Sequence, residues 1–218
     1  MHSNRTKTAP LPRIYLVSSG VESAENGKLL LNQLTRLPRS LSCMVQIREK
    51  KLSAKELLTL ALKAREIELH ENTLLLMNER LDLALAASLD GVHLPENACS
   101  VKVLRPLAPK LIYGCSAHSL SAMRIAEEAG ADYLLFGPVF DTPSKRVYGA
   151  PQGIEKLEAI CQATSLPVFA LGGITPKNAP LCMAKGAYGI AALSLFQDSF
   201  RFADTIEELY FNMNPSCP

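Results

Sequence analysis

Gln46, Arg48 and Lys50 stand at alternate positions in "QIREK". On an extended chain alternate residues point the same way, so an amide, a guanidinium and an ammonium share one face. That set suits an anionic group, phosphate or carboxylate above all. The plainer reading is an Arg48–Glu49 ion pair. "LGGIT" puts Gly172 and Gly173 behind an apolar run and ahead of a helical pattern. Glycines there let a phosphate approach backbone N–H groups, and a helix N-terminus adds partial positive charge. Thr175 reads equally as the cap of that helix, with Pro176 at its first position. In "AALS", the backbone at Leu193 and Ser194 would complete such a clamp. A third cluster, Thr142, Ser144 and Lys145 in "DTPSK", follows the apolar run "YLLFGPVF".

His118, in "GCSAHSL", is a natural general acid/base if it lies at a site. Its alternative is a histidine bonded to backbone at a helix start. His93 lies inside an apolar run and reads as a hydrogen-bonded interior group. Asp82 reads as a residue that salt-bridges or caps a first helical turn rather than a metal ligand. Asp90 and Asp132 precede apolar runs and read as structural. Cys115 sits in an apolar run and is not expected to be a nucleophile.

What must position these residues is a chain that alternates. The strand candidates are "RIYLVSS", "SCMVQIR", "TLLLMN", "DGVHL", "IYGCS", "DYLLFGP", "PVFALG" and "GIAALS". They are near-continuously apolar, as parallel strands covered on both faces should be. Helical patterns separate them. "SAKELLTLALKAREIELHE" carries Ser53 and Glu56 at capping-box spacing, and "SLSAMRIAEEAGA" stops at Gly130. The helix after "GVHL" is the weakest element. Eight such units predict a single (β/α)8 barrel over 13–212, with short tails at 1–12 and 213–218. An open doubly wound sheet would want a G-x-G-x-x-G after the first strand, which is absent. In a barrel the chemistry collects where strands end, and the phosphate clamp between strands seven and eight fits that rule.

The bulk properties agree with one domain: 218 residues, 48% hydrophobic, 20% charged, net charge +2. Arg5, Lys7 and Arg13 lie in the acid-free opening "MHSNRTKTAPLPR", which lacks the apolar core of a secretion signal. No long uncharged apolar run predicts a membrane span, and no basic stripe interleaved with aromatics predicts nucleic acid. The six cysteines are scattered without CxxC spacing, which suits small core residues in a reducing cytoplasm.

Taken in order, "VQIREK", "MNERLDLALAASLDGVHL", "GCSAHSLSAMRIAEEAGADYLLFGPVFDTPSK", "PVFALGGITPKNA" and "GAYGIAALS" resemble the thiamine phosphate synthase/TenI superfamily. The resemblance runs from about Val45 to Ser194. It implies a barrel, a role in thiamine biosynthesis and a thiazole phosphate ligand. For the synthase branch, which joins a hydroxymethylpyrimidine diphosphate to a thiazole phosphate, it matches Gln46, Arg48, Lys50, Asn78, Ser116, Thr142, Ser144 and Lys145 to substrate and pyrophosphate positions. Thr142, Ser144 and Lys145 would then be an anion-gripping loop, closed through Gly149. That branch also implies magnesium, which normally meets aspartates in N-D-R and G-Q-E-D motifs. Here Glu79 replaces the first aspartate, and "PENA", Pro95 to Ala98, replaces the second motif. Magnesium tolerates little displacement of its ligands.

The TenI branch implies a metal-free tautomerisation that aromatises a thiazole carboxylate phosphate. His118 would move the proton there, Gly172, Gly173, Leu193 and Ser194 would hold the phosphate, and Arg48 or Lys50 the carboxylate. "HLPENACS" sits closer to this branch, so the tautomerase leads the expectation and the synthase, with magnesium on Glu79, follows. A binder of thiazole phosphate or thiamine phosphate without turnover is the third reading. Barrels of this kind are often dimeric, so a homodimer is one expected assembly.

Overall fold

Apolar runs without alternation form strands that need cover on both faces, and the computed structural model shows how each face is covered. Residues 10–20, 28–142, 150–197 and 200–214 are described by this structure. The strands are β1 (Ile14–Val17), β2 (Cys43–Ile47), β3 (Leu74–Asn78), β4 (Gly91–Leu94), β5 (Ile112–Ala117), β6 (Tyr133–Phe136), β7 (Val168–Leu171) and β8 (Gly189–Ala192). All pair in parallel in chain order, and β8 closes on β1, so the (β/α)8 barrel is as expected. Helices α1 (Lys28–Thr35), α2 (Ala54–Glu66), α3 (Leu81–Ala86), α4 (Val101–Leu104), α5 (Leu120–Glu128), α6 (Ile154–Ala163), α7 (Ala179–Ala184) and α8 (Phe202–Met213) lie between and after them. A 3-10 turn, Ser194–Phe196, precedes α8.

Side-chain alternation splits every strand between two cores. Ile14, Leu16, Val45, Leu75, Val92, Tyr113, Leu134 and Ile190 point outward under the helices. Tyr15, Met44, Leu74, Leu76, Tyr133, Leu135, Phe169 and Ala191 fill the barrel. Filling it with rings demands space elsewhere. A Cβ on Gly114 would lie 1.9 Å from Tyr133 Cζ, so the bare backbone of β5 makes room for that ring.

The N-terminal end of the barrel is held by carboxylates, as the sequence suggested. Asp90 Oδ2 accepts from Leu75 N at 2.8 Å and pairs with Arg65 at 3.1 Å. Asp132 Oδ2 repeats the arrangement, with Tyr113 N at 2.7 Å and Arg105 at 2.8 Å. The seam between first and last elements is tied by Arg13, whose Nε donates to the Tyr188 carbonyl at 2.9 Å and Nη1 to Asn214 Oδ1 at 2.7 Å.

The helix ends show where local chemistry was readable. Ser53 and Glu56 form the reciprocal capping box of α2, and Gly130 takes φ +87° just past α5. The weak element after β4 is α4, only 4 residues long. One expectation holds only in part. Helix α7 begins at Ala179 rather than at Pro176, yet Thr175 Oγ1 accepts from Asn178 N at 3.3 Å as a cap would. Asn178 Oδ1 captures Thr175 N at 2.8 Å and its Nδ2 donates to the Gly173 carbonyl at 3.0 Å, so the stretch is a side-chain-stapled turn. Among the described residues no helix is long and apolar enough to cross a membrane. Cys43, Cys99, Cys115, Cys161 and Cys182 are free thiols.

Candidate active site

The upper layer of the barrel changes from apolar to polar at the ends of β1 to β5, where Ser18, Gln46, Asn78, His93 and Ser116 stand. Register places Val17 beside Gln46 and Asn78 beside His93. From these positions the side chains make one continuous hydrogen-bonded chain. Ser116 Oγ meets His93 Nε2 at 2.9 Å, and His93 Nδ1 meets the Tyr133 hydroxyl at 3.2 Å. Tyr133 and Tyr15 hydroxyls lie 2.8 Å apart, and Tyr15 donates to Gln46 Oε1 at 3.1 Å. Gln46 Nε2 donates to Asn78 Oδ1 at 2.9 Å, and Asn78 Nδ2 to Glu79 Oε2 at 3.1 Å. Gln46 and His93 are 2% and 3% exposed, so water does not replace these partners. Ser116 and Asn78 are half-buried and Glu79 is exposed, which puts both ends of the chain at the mouth.

Burial governs the electrostatics. It pushes the His93 imidazole down to about 3, and the Arg48 guanidinium opposes a proton there as well. It lifts the Tyr15 and Tyr133 hydroxyls far above the ordinary phenol range. It also raises the Cys115 thiol to about 11, in keeping with an inert cysteine.

Arg48 is fixed by its backbone. The strand ends at Ile47, Arg48 N donates to Ser18 Oγ at 2.7 Å, and Gly20 N donates to Glu49 Oε1 at 3.1 Å. The buried Glu49 carboxylate thus laces the β1 and β2 ends together. Lys50 is exposed in the following turn, where Leu52 N bonds to the Glu49 carbonyl. Gln46 and Arg48 line the mouth, and Lys50 sits outside the strand alternation.

A second cluster occupies the rim. His118 is exposed, and its Nδ1 lies 2.7 Å from the Gly137 carbonyl, so that nitrogen carries the hydrogen. His118 N donates to Glu96 Oε2 at 3.0 Å. Ala98, at the position of the expected second aspartate, packs against the outer core. Among the described residues no group of three His, Cys, Asp or Glu side chains could hold a metal ion.

Gly172 and Gly173, at φ +96° and +64°, also have a packing reason to be glycine. A Cβ on Gly172 would lie 2.5 Å from Pro138 Cβ, and one on Gly173 2.6 Å from the Asp141 carbonyl. The β6 and β7 loops press together there, joined by Phe140 N to the Gly172 carbonyl at 3.0 Å. Thr142 is buried; Ser144, Lys145 and Gly149 lie outside the described residues. Leu193 and Ser194 follow β8 directly, with Ser194 exposed at the start of the 3-10 turn.

Sequence reasoning missed Tyr15 and Tyr133 and left His93 without a task at the mouth. The available signal was their inward parity on β1, β6 and β4, the same parity that Gln46 has on β2 and Ser116 on β5.

Known proteins share this framework. The family model described as "Thiamine monophosphate synthase" matches residues 14–196. An Aquifex aeolicus protein named "Putative thiamine-phosphate synthase 2" is 40% identical over 186 residues, covering 85% of this chain and 98% of that protein. The "Thiamine-phosphate synthase" of Coprothermobacter proteolyticus is 40% identical over 151 residues, 69% of this chain and 71% of its own. Among solved structures, "Thiamine phosphate pyrophosphorylase" from Pyrococcus furiosus superposes with a TM-score of 0.77 at 27% identity, over 93% of this chain and 96% of that one.

These names overturn the expectation that a TenI-type tautomerase leads, and with it the acid/base task given to His118 in that reaction. The expectation leaned on two substituted carboxylate positions. The synthase likeness extends along the barrel, and Glu79 still holds a carboxylate at the mouth.

Proposed function

The chain belongs to the thiamine monophosphate synthase family, and on that premise we propose that it couples a hydroxymethylpyrimidine diphosphate to a thiazole phosphate. The observation that carries this reading is the likeness to the Aquifex aeolicus protein named "Putative thiamine-phosphate synthase 2" along 98% of that protein's length. In the coupling, the bond from the pyrimidine methylene carbon to the diphosphate oxygen breaks and its electron pair leaves with pyrophosphate. The thiazole nitrogen lone pair then closes the new C–N bond.

The chain's residues divide the work by position. Arg48, anchored through Ser18, sets a fixed cation at the mouth for the departing diphosphate. Lys50 adds charge at the rim, and the loop that carries Thr142, Ser144 and Lys145 grips the same group. Gln46, Asn78 and Ser116 offer polar atoms that orient the ring. The backbone at Gly172, Gly173, Leu193 and Ser194 receives the thiazole phosphate. The packed barrel beneath keeps water from a cationic intermediate.

Magnesium is usually bound through one or two carboxylates together with substrate phosphates and several waters. The donors present fit that frugal pattern: Glu79 is exposed at the mouth, and among the described residues its Oε2 is engaged, with Asn78. Glu96, across the rim, likewise has one oxygen held, by the His118 amide. When bound, the ion would neutralise charge on the leaving diphosphate.

The test is thiamine phosphate formation from the two purified substrates, with the thiazole supplied in its aromatic form, with and without magnesium. Magnesium-dependent turnover at an enzyme-like rate is expected. Tight binding of thiazole phosphate with no turnover, while an authentic synthase works in the same tube, would sink the reading.

A further inference from the structure

Counting donors places every hydrogen on the chain between Glu79 and Ser116. The Glu79 carboxylate only accepts, so the Asn78 amide must turn its nitrogen toward it, across 3.1 Å. The Asn78 oxygen then faces Gln46, whose Nε2 donates across 2.9 Å. Gln46 therefore presents its oxygen to Tyr15, and the Tyr15 hydroxyl directs its one proton there, across 3.1 Å. The Tyr15 oxygen is left to accept from Tyr133 at 2.8 Å. Tyr133 has no second proton for His93, so across 3.2 Å the donor is His93 Nδ1. The ring is neutral, since it is 3% exposed and both its nitrogens face hydroxyls, which leaves an imidazolium without a carboxylate to pair it. His93 Nε2 is then a bare lone pair, and Ser116 gives its proton to it across 2.9 Å.

The reverse polarity fails at one link. Turning every donor around ends with the Asn78 oxygen against the Glu79 oxygen, two acceptors with no hydrogen between them. The negative charge of Glu79 thus selects the direction of the whole relay. The ring geometry supports a rigid relay: His93 stacks on Tyr133 at 5.8 Å between centroids, and Tyr15 meets both rings edge-on.

We propose that His93 is a positioning residue: locked as its Nδ1–H tautomer by a relay that starts at Glu79, it takes the Ser116 proton and leaves Ser116 to meet a ligand with lone pairs alone. The ligand atom seated on Ser116 is therefore a hydrogen-bond donor, and an acceptor placed there is rejected. The charged and titratable groups around His93 are Arg48 after β2, Glu79 after β3, Tyr15 on β1 and Tyr133 on β6. The inference concerns the free protein and stands without the proposed coupling reaction.

The test is imidazole nitrogen NMR of the full, ligand-free chain, with the His93 signals assigned by their loss in His93→Gln. A pyrrole-like Nδ1 and a pyridine-like Nε2 are expected at neutral pH. The opposite tautomer, or an imidazolium, would overturn the proposal. Two variants at the exposed Glu79 test the origin of the polarity without touching the core. Glu79→Gln keeps an acceptor and should leave the signals in place. Glu79→Lys offers only donors and should shift them toward the Nε2–H form. Unmoved signals in Glu79→Lys, or an equal shift in both variants, would show that Glu79 does not set the polarity.

Discussion

The two ends of this barrel use the same kinds of side chain to opposite effect. At the N-terminal end Asp90 and Asp132 each take a backbone amide and an arginine, and each cluster stays local. At the mouth the polar groups are strung in a line whose last members, Ser116 and Glu79, are left facing outward. Local polar clusters stabilise a fold, whereas an open-ended one keeps capacity for a ligand. Charge alone does not distinguish these ends; connectivity does.

Acid should break the contrast first, and from the mouth. The folded His93 sits at about 3 and its unfolded counterpart at 6.5, so the unfolded chain binds more protons between those values. Stability is full above pH 6.5 and is lost as pH falls toward 3, by on the order of 4 kcal/mol. Urea midpoints measured against pH, flattening in His93→Asn, check this. A slope that persists unchanged in the variant would place the acid sensitivity elsewhere.

Next in size, Gly114→Ala forces a methyl to within 1.9 Å of the Tyr133 ring. About 3 kcal/mol of stability should go, with turnover falling alongside, because the relay loses its middle. Denaturant titration and a rate assay on the same sample separate the two losses. Asp132→Ala should sharpen the comparison from the other end. It strands the buried Tyr113 amide and should cost about 2 kcal/mol, with kcat unchanged well below the melting point. A fall in kcat there would mean that the floor is not insulated from the chemistry. The smallest effect belongs to neither end: Ser53→Ala removes the α2 cap and should lower stability by about 1 kcal/mol with no kinetic signature.

The fold was readable because its signals are local. Continuous apolar runs announced every strand, and Ser53, Glu56 and Gly130 punctuated their helices as written. The start of α7 was placed too early because Asn178, three residues after Thr175, returns its side chain to the Thr175 amide and holds the stretch as a turn. The relay was harder for another reason. Tyr15, His93 and Tyr133 sit in apolar runs and look like core; only the closed register of β1, β4 and β6 turns them into one polar path. The branch of the family was misjudged from Glu79 and Ala98, where single carboxylates were weighed above the continuous pattern around them.

Arg13 carries one last consequence. Its clasp on Tyr188 and Asn214 lies where β8 meets β1, and every other neighbouring pair of strands is already consecutive along the chain. Spatial order and covalent order therefore coincide around a ring. A short linker bridging this clasp, with a new cut opened in the exposed stretch ahead of α4, would give a circular permutant that traces the same ring from a different starting point.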